Sequence, residues 1–322
     1  MKAVVADPVG GPENLKYIDR EEPKPAPGEA LVKLEAIGVN FIDIYFRQGL
    51  YKAPETPVQI GNEGAGVIAE TTPDSQFQKG DRVAFAMARG SYAEYQAVPE
   101  KFLVKVPNSV SFDDAAAAML QGMTAHYLTR STFSLGSQHT CLVHAAAGGA
   151  GLMIVQMAKI AGATVIGTCS TAEKEQLVRS HGADHVIRYS EQDFVAEVKR
   201  ITNNAGVNVV YDSVGKSTFW KSLDCLRPRG LMASFGQSSG PVGDIDPLLL
   251  SQKGSLFLTR PSLGNYISDR AELDWRAREI FEWIAAGKLK LQIYRKYKLA
   301  DAAEAQRDLE SRKTTGKLLL KP

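Results

Sequence analysis

A bend of small residues, HAAAGGAG at 144–151, lies between an apolar run, TCLVH at 140–144, and an apolar periodic stretch that opens LMIVQMAKIA at Leu152. Glycines that turn a buried strand straight into a buried helix belong to sheets whose strands run parallel with helices on both faces. Read as G-x-G-x-x-G, the key places are Ala146, Gly148 and Gly151, with alanine at the first and glycine at the other two. The demand behind the pattern is that backbone approach a pyrophosphate without Cβ interference, while the next helix aims its free N–H groups and positive dipole end at the anion. Gly148, Gly149 and Ala150 are placed to do that. Taken alone, the same small residues serve close helix-to-strand packing equally well, so the surrounding sequence has to decide.

It decides for the nucleotide. From about residue 125, six apolar strand candidates follow one another: 140–144, 163–168, 185–189, 207–214, 230–236 and 255–259. Helical candidates begin between them near Leu152, Ala172, Glu191, Ser217 and Asp246. Six strands in βα alternation match a doubly wound, mostly parallel sheet. The first third reads differently, as short β-rich runs punctuated by Gly and Pro: KAVVA, ALVKLEAIGVN from Ala30, GAGVIAE from Gly64, RVAFA from Arg82 and SYAEYQAV from Ser91. That is barrel-like spacing, and the proline-fixed EEPKPAPGE from Glu21 between its runs is expected to be a surface loop. After Arg260, amphipathic helices at 270–286 and 300–312 and a closing strand KLLLK are too little for a third core. The expectation is therefore one domain from residues 1–124 and 261–322, with residues 125–260 inserted as the nucleotide domain.

Composition narrows the function. Lys plus Arg is 38 against 36 Asp plus Glu, a formal charge of +2, which offers no general field for a nucleic-acid backbone. Three scattered cysteines, Cys141, Cys169 and Cys225, build neither a disulfide framework nor a four-thiolate zinc lobe and fit a reducing compartment. The opening MKAVVADPVGG lacks the apolar stretch of a signal peptide, and no run approaches a membrane span. A cytoplasmic protein is expected. The second strand ends in GTCSTAEK, with no carboxylate at the place where an NAD site binds the ribose hydroxyls. Thr168, Ser170 and Thr171 offer neutral donors there and Lys174 a cation for a 2′-phosphate, so NADPH is expected over NADH. Tyr189, ending the third strand, is placed to wall the adenine ribose. Cys141 and His144 stand three apart on one strand and face opposite ways; no H-E-x-x-H and no G-x-S-x-G occurs. With neither metal nor nucleophile, the chemistry falls to the cofactor.

Several motifs in order carry a resemblance that runs essentially end to end: GVNFIDIYFRQGLY at 38–51, GNEGAGVI at 61–68, GDRVAF at 80–85, GMTAHYL at 122–128, HAAAGGAG, VVYDSVG at 209–215 and KGSLFLTRPSL at 253–263. The chain resembles the medium-chain dehydrogenase/reductase superfamily and, within it, the zinc-free quinone oxidoreductases that include zeta-crystallin. The resemblance implies a GroES-like β-barrel catalytic domain, an inserted Rossmann domain and an active cleft between the two. Asn40 and Asn62 stand where the zinc enzymes keep a Cys and a His, so no metal is expected. The cofactor contacts implied are Asn40, Tyr127, Ala147, Gly148, Gly149, Ala150, Gly151, Thr168, Ser170, Lys174, Tyr189, Phe235, Gly236, Ser238, Arg260 and Arg312. Asn40, Tyr45 and Tyr51 are implied as the catalytic set, with Asp43 and Thr124 lining the acceptor pocket; the two tyrosines could stack on a quinone ring or donate to its oxygen. The reading is an NADPH-dependent quinone reductase, a homodimer with an edge strand in SLFLTRP. Two others stay open: an NADPH-dependent reductase of enone or enal C=C bonds, and a non-enzymatic NADPH-binding protein with a structural or RNA-binding role, for which KLKLQIYRKYKL at 288–299 and RPRG at 227–230 are the basic candidates.

Overall fold

From Ala30 to Val39 the chain runs as a largely buried strand, with Lys33 alone exposed, and it stops before Asn40, which caps a helix. The computed structural model describes all of residues 1–322, and they divide into two units. One comprises Met1–Met123, Tyr266–Gly287 and Leu291–Pro322; the other comprises Thr124–Asn265 with Lys288–Lys290.

The first unit begins with β1 (Lys2–Ala6), β2 (Leu15–Asp19), β3 (Glu29–Val39), α1 (Phe41–Arg47), β4 (Val58–Gln59) and β5 (Glu63–Thr71). It continues with β6 (Arg82–Ala86), β7 (Tyr95–Pro99), β8 (Leu103–Lys105) and α2 (Phe112–Tyr127). The proline-rich segment between β2 and β3 is a largely exposed connection. The strand expected from Ser91 forms only from Tyr95. Ser91 to Ala93 are drawn elsewhere: Tyr92 N–H donates to Ile60 O, its carbonyl accepts from Val4 N–H, and Ala93 bridges Ala3. Val32, Ile37, Ile68, Phe85, Val98 and Leu103 are among the apolar side chains that fill the core.

The second unit contains β9 (Thr140–Val143), α3 (Gly149–Ile160), β10 (Thr164–Cys169), α4 (Ala172–Ser180), β11 (His185–Arg188) and α5 (Phe194–Ile201). After these come β12 (Val207–Asp212), α6 (Phe219–Leu223), β13 (Leu226–Ser234), α7 (Leu248–Gln252), β14 (Phe257–Thr259) and α8 (Leu263–Tyr266). The sheet order is β11-β10-β9-β12-β13-β14, every neighbour parallel. Crossing back over β9 places β10 and β12 on either side of it, which opens a switch point at the carboxyl end of β9, beside the glycine loop. Several boundaries differ from the sequence reading by two or three residues or more, two of them with a clear local cause. α5 starts at Phe194, not Glu191, because Asp193 caps it by accepting from Val195 and Ala196 N–H. β13 starts at Leu226, ahead of RPRG, since Arg229 takes φ +59 and absorbs a register shift against β12.

The chain ends with α9 (Arg270–Ala285), β15 (Ile293–Lys298), α10 (Ala302–Glu310) and β16 (Lys317–Lys321). β16 pairs antiparallel with β3, Leu319 opposite Gly38, and β15 pairs parallel with β16. The basic run at 288–299 is thus largely an edge strand, with Tyr297 buried beneath it. Two of its five cations are ion-paired: Arg295 with Glu304, and Lys296 with Asp113, which Lys321 shares. No helix is long and apolar enough to cross a membrane.

Candidate active site

In the parallel-sheet unit, the chain leaves β9 through Ala145, whose φ of +49 makes the bend. Ala146 N–H donates to Thr168 O on β10 (2.9 Å), which ties the loop to the neighbouring strand. Gly148 is the N-cap of α3 and brings no capping side chain, so the first-turn N–H groups of Gly149, Ala150 and Gly151 are left for an anion. The glycines differ in role. A Cβ on Gly151 would lie 2.3 Å from Ala145 O, so this position is closed by packing; at Gly148 the same oxygen is 3.2 Å away and nothing else is near. Ala147, between them and the bend, is buried.

The ends of the other strands gather at this edge. Ser190 Oγ donates to Ser170 O (2.7 Å) and Tyr189 N–H to Cys169 O (3.1 Å), which sets the half-buried Ser170 beside the exposed Tyr189. Thr171 caps α4 by accepting from Lys174 N–H, and burial lowers the pKa of the Lys174 ammonium. α4 does carry carboxylates in its first turn: Glu173 faces solvent, while Glu175 is held by Arg179 and Arg188. Beyond β13, Phe235 N–H donates to Asp212 O and Ser238 N–H to Ser213 O; a Cβ on Gly236 would sit 2.5 Å from Ser213 O. Tyr127 is buried at the end of α2, Thr124 is buried a turn before it, and Arg260 is exposed just past β14.

Thr168 is tied to a buried histidine. His144 lies between Thr168 Oγ1 (3.0 Å) and Ser222 Oγ (2.9 Å), with its ring edge-on to Phe194. Ser222 spends its proton on Thr218 O, so its oxygen accepts from His144 Nε2–H, and Nδ1 must then accept the Thr168 hydroxyl proton. Burial lowers the His144 pKa and keeps the ring neutral. Thr168 is buried beside this ring, while Ser170, Thr171 and Lys174 lie nearer the surface.

In the other unit, register places a polar cluster where α1 begins. Asn40 follows β3 as the N-cap of α1, Glu63 opens β5 and Lys317 opens β16, and all three are buried. Lys317 forms an ion pair with Glu63 and donates to Asn40 Oδ1 (2.8 Å); Asn40 Nδ2 donates to Glu63 Oε2 (2.8 Å). Glu63 also accepts from Leu120 N–H, and Gln121 Nε2 donates to Asn40 Oδ1 (3.2 Å). Gly38 is necessary here, since a Cβ would lie 2.0 Å from Glu63 Oε2. Asp43 sits at N3 of α1, accepting from Asn40 N–H (2.9 Å), Asn62 Nδ2 (2.8 Å) and Tyr92 Oη–H (3.3 Å). Burial pushes its carboxyl up to about 7, against the opposing pull of those donors. Gln306 links Tyr92 onward to Arg47, which forms an ion pair with Glu310 on α10. Tyr45 and Tyr51 meet edge-on at 5.3 Å, and Phe46 also meets Tyr51 edge-on, at 5.7 Å. Arg312 stands in the turn after α10 with φ +58.

Residues 26–108 match the alcohol dehydrogenase GroES-like domain and 149–272 the zinc-binding dehydrogenases. The chain is 46% identical over 315 residues to a quinone oxidoreductase of Pseudomonas aeruginosa, covering 97% of each. The chain belongs to the zinc-free quinone oxidoreductases of the medium-chain dehydrogenase/reductase superfamily. A solved Escherichia coli quinone oxidoreductase complexed with NADPH is similar over the full length of both chains, with a TM-score of 0.98 and 43% identity. A 2-haloacrylate reductase of Burkholderia is 41% identical over 330 residues, 99% of this chain and 98% of that one.

In this quinone oxidoreductase, the zinc that half of the match is named for does not fit the residues present. Asn40 and Asn62 offer amides, the Lys317 ammonium stands 2.8 Å from Asn40 Oδ1, and no three His, Cys, Asp or Glu side chains group as ligands. Asn40 and Asp43 have both ends committed inside their own unit. Together these bonds fix the start of α1. Glu63, Gln121, Lys317 and His144 were missed by sequence reasoning. Only Glu63 left a signal, as an acid at the head of the apolar run GAGVIA; the others acquire meaning through partners 24 to 277 residues away.

Proposed function

We infer that this quinone oxidoreductase is an NADPH-dependent quinone reductase. The observation that carries the reading is the full-length likeness to a quinone oxidoreductase complexed with NADPH, together with an uncapped glycine-rich helix start in this chain that suits a pyrophosphate. Bound NADPH would supply the reducing equivalents: quinone, NADPH and one proton give hydroquinone and NADP⁺. The chain's own work is binding and orientation. The N–H groups of Gly149, Ala150 and Gly151 hold the pyrophosphate, with Ala147 and Gly148 allowing close approach. Ser170, Thr171 and Lys174 take the 2′-phosphate, whose charge offsets the burial of the Lys174 ammonium. Tyr189 walls the adenosine, and Phe235, Gly236, Ser238, Tyr127, Arg260 and Arg312 complete the cofactor set. Tyr45 and Tyr51 offer ring faces and hydroxyls to a flat acceptor, and Asn40 and Thr124 complete the acceptor set. The proton comes from solvent, a quinone being a ready acceptor.

We also propose a homodimer and a cytoplasmic location. Supporting the first, β14 is an unpaired sheet edge with Phe257 61% exposed, near Leu248 at 59% on the preceding helix. Supporting the second, all three cysteines are free thiols.

Anaerobic stopped-flow oxidation of NADPH by 1,4-benzoquinone, a naphthoquinone and a small enone tests the function. Quinones should react fastest, NADPH should be preferred to NADH, and Lys174→Ala should cut that preference by about tenfold to a hundredfold. Turnover of the enone alone would move the activity to C=C reduction, and an undiminished preference in the variant would remove Lys174 from the phosphate site.

A further inference from the structure

The orientation of one side-chain amide, Gln121 on α2, is dictated by an ion pair that it does not touch. Lys317 carries only donors and the ionised Glu63 only acceptors, so the Asn40 amide between them has one allowed setting: Oδ1 toward Lys317 (2.8 Å), Nδ2 toward Glu63 (2.8 Å). Nδ2 also reaches Gly38 O (3.4 Å). The remaining lone pair of Asn40 Oδ1 takes Gln121 Nε2–H at 3.2 Å. Turning Gln121 over would bring two carbonyl oxygens face to face, so its NH₂ must point at Asn40 and its Oε1 away from it. That oxygen is sealed from solvent and has no donor. A buried acceptor left unpaired is costly enough that native structures nearly always fill it. The other buried polar atoms without a partner, on Arg82, Arg89, Gln96, Glu100 and Arg227, belong to side chains with no bond to this network.

We propose that Gln121 is a ligand-contacting residue whose Oε1 accepts a hydrogen bond from an N–H or O–H of a bound reactant. The assignment rests on the quinone reductase reading, which supplies the two reactants that carry such donors. An oxidised quinone has none, and its lone pairs are repelled by a carbonyl; the hydroquinone has O–H groups, and the nicotinamide ring has a carboxamide N–H. Gln121 therefore selects by donor, a preference the fixed Asn40 amide imposes.

Two binding arms separate the sources. In the first, wild type and Gln121→Met are titrated by fluorescence with NADPH and with reduced 3-acetylpyridine adenine dinucleotide phosphate, whose acetyl group lacks the N–H. In the second, 1,4-dihydroxynaphthalene and 1,4-dimethoxynaphthalene compete anaerobically for the acceptor pocket. In one of the two arms, wild type should favour the donor-bearing ligand by about tenfold. Gln121→Met should reduce that preference to less than about twofold by weakening the donor-bearing ligand alone. Binding of 2′-phospho-ADP-ribose, which lacks the nicotinamide, reports that the variant is folded; Gln121→Leu gives the same readout if the Met variant fails it. Equal preferences in wild type and variant in both arms would overturn the assignment. A wild type that binds neither NADPH nor the fragment would overturn the cofactor reading instead, and the naphthalene arm would still decide Gln121.

Discussion

Asp43 shows how far a single residue's chemistry depends on where the fold puts it. A carboxyl written into a helix start normally ionises near 3.8, and here burial raises it to about 7. The folded chain therefore holds the Asp43 proton more tightly than the unfolded chain does, so this stabilisation is whole below about pH 4 and is lost as pH rises through about 7. In urea unfolding of the apo protein at pH 5, 6, 7 and 8, wild type should lose stability relative to Asp43→Asn, at up to about 1.4 kcal/mol per pH unit. Parallel profiles for the two proteins would show that Asp43 does not titrate in this range. The sequence marked Asp43 and Asn40 as site residues but said nothing of their partners. It placed Thr168 at a strand end but gave no sign that His144 lies against its hydroxyl.

Between elements, the joint that matters most is β16 against β3 and β5. Lys317 and Glu63 are buried together, and each is compensated by the other. Lys317→Met should leave Glu63 as a buried, unpaired charge and cost roughly 3–5 kcal/mol in chemical denaturation. Adding Glu63→Gln should recover part of that loss, with a coupling of about 1–3 kcal/mol; strictly additive losses would mean that the pair is not a unit. The elements themselves were largely legible. All six parallel strands were readable as apolar runs between helical periods, because burial on both faces leaves that pattern. The starts of α5 and β13 were misplaced, since an Asp193 cap and a left-handed Arg229 are local choices that periodicity does not encode. β15 was read as a basic run because Arg295, Lys296 and Lys298 lie exposed along an edge strand whose one buried side chain is Tyr297.

At the scale of the molecule, the open β14 edge predicts self-association. Light scattering of the wild type should give the mass of two chains, and Phe257→Lys, which sets a charge on that edge, should shift it to one. A wild type already monomeric, or a variant still dimeric, would place the interface elsewhere or nowhere. What the sequence determined by itself was local and periodic: the parallel sheet, the glycine-rich helix start, and Lys174 at a strand end without a carboxylate. These follow from side-chain period, glycine's missing Cβ and fixed spacing along the chain, all of which one sequence displays. Only the tertiary structure decided the settings of the Asn40 and Gln121 amides, the proton of Thr168 and the charge state of Asp43. Each depends on partners brought from distant strands and helices and on removal from water, and neither proximity nor desolvation is written in the order of residues.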